Sequence, residues 1–143
     1  MKIILNNDVV HLGEEGDVVT VKDGTTTLVE GTDYSVTYSN NIDAGTATIT
    51  IKGINNYTGT RTENFEITQR PVTIKPKDAS KVYDTLPLTS NEAEVTAGSL
   101  VSGHTATITT TGNITSVGSI TNTISTLTIK NASGTDVTAN YNV

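Results

Sequence analysis

The sequence predicts an all-β chain made of two small tandem β-sandwich modules, and three observations point there. About a fifth of the 143 residues are Thr, a β-branched type that suits a pleated, half-exposed surface and fits poorly in helices. Apolar residues recur at period two, with no convincing helical period. Clusters of Gly, Asn and Asp, which supply the positive φ or the side-chain to backbone bonds of turns, interrupt the apolar runs at strand-length intervals.

The first series runs through Val19 and Val21, then Tyr34, Val36 and Tyr38, then Ala47, Ile49 and Ile51, and continues at Phe65 and Ile67. Between its members lie VEGTD, SNNIDAG and INNYTG as turns. The second series comprises Val72 and Ile74, Ala93 and Val95, Ala106 and Ile108, Leu127 and Ile129, and finally Val137, Ala139 and Tyr141 as one more alternating strand. Proline tolerates the start of a strand and not the middle of a ladder, so the junction at Arg70 and Pro71 sets modules at residues 1–70 and 71–143. An immunoglobulin-like sandwich is the reading for each module. A β-grasp fold is the alternative and needs a crossing helix for which no pattern is found.

Composition bounds the chemistry. The hydrophobic fraction is 34% with 4% aromatics, below the roughly 45–50% apolar share of ordinary domains, so each core must be thin. Cys is 0 and no His pair sits at metal-ligand spacing, so neither kind of small-domain staple is visible. The formal net charge is −6, which repels phosphate backbones and argues against a nucleic-acid partner. The longest apolar runs are about four residues, against the roughly 20 of a membrane-spanning helix, and no signal peptide precedes the fold, so a soluble chain without membrane insertion is expected. The lack of Cys suits the cytosol and disulfide-free Gram-positive surface proteins alike.

From Val19 onward, VTVKDGTTTLVEGTDYSVTYSNNIDAGTATITIKGINNYTGTRTENFEI resembles a repeat of large bacterial cell-surface proteins, with its GTDY corner, YSNN turn, AGTATITI strand and NYTGT turn. From Arg70, RPVTIKPKDASKVYD, LVSGHTATITTTG and KNASGTDVTANYNV resemble the modules called MBG or YDG domains, which stand in tandem in such proteins. Those modules usually carry Gly after the KVYD motif, where Thr85 stands here, so an altered turn is expected. They also close with a further strand after the NYN motif, so an incomplete last sheet or an open edge is expected at Val143. The opening MKIILNNDVVHLGEEGDVVTVKDG resembles the first β-hairpin of the bacterial large-subunit ribosomal protein L nine. In that protein a helix carrying much of the RNA contact follows at once, whereas TTTLVEG follows here.

No catalytic, cofactor-binding or metal-binding residue is singled out. His11 and His104 are two and far apart in sequence, and read as surface or turn histidines. Asp33, Asp43 and Asp84 fall in turn-like segments and read as Asx-turn residues more readily than calcium ligands. Asn56-Tyr57-Thr58, Asn113-Ile114-Thr115 and Asn131-Ala132-Ser133 fit the N-glycosylation pattern, which chance supplies in a chain rich in Asn and Thr. Lys52, Lys75 and Lys130 are the candidates for an intramolecular isopeptide bond, which would require one of them to be buried beside an Asn and an acid. Tyr34, Tyr38, Tyr57, Tyr83 and Tyr141 are read as caps on thin cores in preference to carbohydrate-stacking faces. The expected function is non-enzymatic, without a cofactor: a structural or adhesive unit of a bacterial surface protein, extracellular or in the cell wall by resemblance, with a host glycan, a host protein or neighbouring repeats as candidate partners. The alternatives are a chimeric or artificial chain with no evolved function and an RNA-binding fragment of the ribosomal type.

Overall fold

A computed structural model of the chain describes residues 20–143 together with the short strand Ile3–Ile4. The chain divides into two compact units, Met1–Thr68 and Gln69–Val143. Both are β-structures built from several small sheets, and among the described residues the only helical element is one 3₁₀ turn. The crossing helix of a β-grasp is therefore not found in residues 69–143, all of which are described.

In the first unit the strands are β1 (Ile3–Ile4), β2 (Lys22–Asp23), β3 (Thr26–Thr27), β4 (Tyr34–Ser39), β5 (Gly45–Gly53), β6 (Tyr57–Thr58) and β7 (Thr60–Ile67). The antiparallel sheet β4-β5-β7 is its centre. Cross-strand register sets Val36 opposite Ile51 and Tyr38 opposite Ile49, and Ala47 opposite Phe65. Because successive side chains alternate between faces, this places Ala47, Ile49 and Ile51 together and turns Thr48, Thr50 and Lys52 the other way. The core consists of Val21, Leu28, Tyr34, Ile49 and Ile51, with Val36, Tyr57 and Phe65 packed against it. On β7, Arg61 and Glu63 lie on the same face as Phe65, opposite Ile51 and Ile49. They form an ion pair whose half-buried stems cover the edge of that small core. The start of the chain joins this unit: β1 pairs in parallel with β6, Ile3 beside Tyr57 and Ile4 beside Thr58. The rest of the segment that resembles the ribosomal hairpin before Thr20, residues 1–2 and 5–19, lies outside the described residues.

Turn chemistry explains the connections. Asp33 accepts a hydrogen bond from the Val29 N–H at 2.8 Å through its side chain, and its own N–H donates to the Val29 carbonyl at 2.8 Å, closing the turn around Gly31. At the β5–β6 connection Asn55 takes a left-handed φ of 54°, which Asn tolerates better than most residues, and its side-chain amide donates to the Thr32 carbonyl at 2.7 Å.

In the second unit the elements are β8 (Arg70–Pro76), β9 (Ala93–Gly98), β10 (Thr105–Thr110), β11 (Ile124–Lys130), the 3₁₀ turn Thr138–Asn140 and β12 (Tyr141–Asn142). One sheet has the order β12-β8-β9 and a second is the antiparallel pair β10-β11. Val72 and Ile74 from the first sheet pack with Ile108 and Ile129 from the second, and Tyr141 completes the cluster. This is the sandwich arrangement in miniature, two sheets contributing alternate side chains to one shared core.

The end of the chain departs from the alternating strand expected over Val137, Ala139 and Tyr141. The Asp136 carboxylate accepts hydrogen bonds from both the N–H and the hydroxyl of Thr138, at 2.9 and 2.7 Å. The Thr138 hydroxyl oxygen also accepts from the Ile129 N–H at 2.8 Å. A side chain thus does the work of a ladder carbonyl, and the chain coils for one turn before Tyr141 re-enters extended geometry.

Candidate functional site: the groove between two loops

The long connections of the second unit, 77–92 and 111–123, form a groove of about 610 Å³. Backbone and amide bonds hold the two loops in register. Leu88 and Ile114 exchange both backbone hydrogen bonds, at 2.8 and 3.3 Å. The Asn122 side chain accepts from the Gly112 N–H at 2.8 Å and donates to the Ser90 carbonyl at 2.9 Å. Gly112 permits this closeness, since a Cβ there would stand 2.4 Å from the Asn122 amide oxygen. Asn91 adds a third tie by accepting from the N–H of Thr110 at 2.9 Å.

Three lysines line the groove, but each faces an acid. Lys77 pairs with Glu92 at 3.3 Å, Lys81 pairs with Asp84 at 2.5 Å, and Lys75 sits opposite Glu94 in the β8–β9 register. Asp78 adds a further carboxylate to the lining, so the groove has no excess of positive charge and combines methylene, Ile and hydroxyl surface. Among the described residues no group of three or more His, Asp or Glu could hold a metal ion.

Lys81 organises the first loop. Its ammonium donates to the Asp84 carboxylate, to the Leu86 carbonyl at 2.6 Å and to the Pro87 carbonyl at 3.3 Å. The Lys81 hydrogen bond, reinforced by the N–H of Leu86, holds the Asp84 carboxyl below its ordinary value. Asp84 is thus a turn residue, as is Asp33. Asp43 is exposed in the β4–β5 connection.

Thr85, where a glycine was expected from the resemblance, has φ +70°. The turn keeps a glycine-type backbone in spite of the β-branched side chain. Left-handed geometry costs a non-glycine residue about 1–2 kcal/mol, and glycine returns about 0.5–1 kcal/mol of that through its looser unfolded chain. Thr85→Gly is accordingly expected to stabilise the second unit by up to about 1 kcal/mol, a rise of several degrees in its melting temperature by calorimetry. An unchanged or lowered temperature would show that the turn carries no such strain.

The remaining candidates are placed as follows. His104 is half-buried and its Nδ1 lies 2.7 Å from the Tyr141 hydroxyl, which also accepts from the Val101 N–H at 3.1 Å. The Tyr141 hydroxyl thus bridges the His104 ring and the Val101 backbone. Tyr34 and Tyr141 are buried, Tyr57 packs against its core, and Tyr38 and Tyr83 are exposed. Burial, followed by the charge of Glu30, pushes the Tyr34 phenol above its ordinary value. Lys52, Lys75 and Lys130 are all exposed on their strands, without the buried setting an isopeptide bond needs. Asn56 and Asn113 are exposed, while Asn131 uses its side-chain oxygen to accept from Ser133 and Thr135. His11 lies outside the described residues. Sequence reasoning did not find the groove; the KVYD motif ending in Asp84 lies in one of its loops, and Asn122 gave no signal.

Residues 1–26 match the family described as Ribosomal protein L9, N-terminal domain. The opening segment is therefore similar to that domain, and the match does not extend to the rest of the 143 residues. No curated protein and no solved structure matches the chain. Among the described residues no helix is long and apolar enough to cross a membrane.

Proposed function

We propose that the chain is a non-enzymatic structural or adhesive unit of a bacterial surface protein, a pair of β modules that spaces a binding head from the cell or presents weak contacts along a stalk. The observation that carries this is the succession of two compact β units, each with its own apolar core, with only Thr68 and Gln69 between β7 and β8. Such units add along a chain because each satisfies its own burial. The sequence resemblance to surface repeats from Val19 and to MBG or YDG modules from Arg70 supports the same reading.

A ribosomal-type RNA-binding role is the second reading, favoured by the match of residues 1–26. Electrostatics opposes it. The segment carries Lys2 and Lys22 against Asp8, Glu14, Glu15, Asp17 and Asp23, and neutralising phosphates takes clustered cations. The full chain is expected to show no retention of ribosomal RNA in filter binding at low salt, the condition most favourable to binding. Sub-micromolar affinity with a steep salt dependence would replace the structural reading with the ribosomal one.

A further inference from the structure

The first and last strands of the second unit lie side by side and run the same way. β12 pairs in parallel with the beginning of β8, Tyr141 beside Arg70 and Asn142 beside Pro71. Tension between Gln69 and Val143 therefore draws β8 backward and β12 forward along their common axis. In that direction the hydrogen bonds of the pair are loaded together. In an unzipping geometry they would be loaded one after another.

Both strands are anchored where the load enters. The Gln69 amide donates to the Ala139 carbonyl at 2.9 Å, tying the two chain ends just ahead of the pair. Arg70 donates through Nε to the Ser99 carbonyl and through Nη2 to the Ser99 hydroxyl, both at 2.7 Å. On β12 the Tyr141 ring belongs to the core, and its hydroxyl is held by the Val101 N–H and by His104. Sliding β12 past β8 would therefore break the pair, the Gln69–Ala139 bond and the Tyr141 contacts in a single event, while Arg70 holds β8 to Ser99. We infer that the parallel β8–β12 pair is a force-bearing clamp, giving the second unit its greatest resistance to unfolding along the direction in which a stalk is pulled. Its biological use rests on the structural-repeat reading; its mechanics rest on the register alone.

Forced unfolding reports the unfolding rate under load, so single-molecule pulling in two geometries tests the clamp on the full chain. The chain has no Cys, so paired cysteine handles are unique. Handles from Thr68→Cys and Val143→Cys load the pair in shear. Handles from Thr68→Cys and Ala139→Cys pull on neighbouring points at one end of the pair and unzip it. The length released between the handles identifies the event, and Asn140→Cys, directly ahead of Tyr141, replaces Ala139→Cys if that handle disturbs the fold. The shear geometry is expected to need at least about twice the force of the unzipping one at equal loading rate. Equal forces in the two geometries would overturn the clamp while leaving the structural-repeat reading standing. That reading falls separately, if the chain binds ribosomal RNA in the filter assay.

Discussion

Gly98→Ala is expected to destabilise the second unit by about 3–5 kcal/mol, the far end of the range for single substitutions. Gly98 has φ +71°, and a Cβ built there stands 2.4 Å from the Pro71 carbonyl oxygen and 3.1 Å from the Val72 Cα. Both atoms belong to the backbone of β8, the strand with which Gly98 pairs through Val72, so neither can rotate aside. The left-handed backbone alone costs about 1–2 kcal/mol; the remainder comes from prising β9 off β8. Gly134→Ala separates the two contributions, since Gly134 has φ +84° with nothing within 4 Å of its would-be Cβ. It should cost only the conformational part. Calorimetry should show the second unit's transition lowered by more than about 12 °C for Gly98→Ala and by less than half as much for Gly134→Ala. Similar shifts for the two variants would refute the steric account.

Truncating the two most enclosed isoleucines should have the next largest effect. Ile49 and Ile129 are each 0% exposed, one in the core of each unit. Removing three buried carbons costs the lost transfer energy plus the cavity left behind, about 2–5 kcal/mol. Among the described residues each core cluster has five buried members, so few neighbours are at hand to close the gap. Ile49→Ala is expected to lower the melting of the first unit and leave the second in place, and Ile129→Ala the reverse. If either variant shifts both transitions equally, the units do not keep separate cores.

The alternating positions were legible in the sequence because burial on one sheet face writes itself locally at period two. Ile49 and Ile51, Val72 and Ile74, and Ile108 and Ile129 are all buried as that pattern implies. Val95 is partly exposed although it alternates correctly, because β9 is an edge strand whose side chains are covered from one side at most. Alternation also misled at Val137 to Tyr141, where the Asp136 and Thr138 side chains compete with the ladder for backbone groups. The parallel pairing of β8 with β12 and the groove were not legible. Both depend on contacts distant in sequence, such as Gln69 with Ala139 and Ser90 with Asn122, and those leave no local period. Thr85 illustrates the opposite limit: its departure from glycine was visible, but only the φ shows that the turn survived it.

The structural-repeat account is tested most directly by asking whether the chain extends the reach of something attached to it. One, two and four copies would be placed between a wall anchor and a small tagged binder on a bacterial cell. Capture by ligand-coated beads too large to pass the surrounding surface layer would then be measured. If the account holds, capture rises with copy number and falls when every copy carries Gly98→Ala. Capture that is independent of copy number, with the binder present in equal amounts, would contradict it.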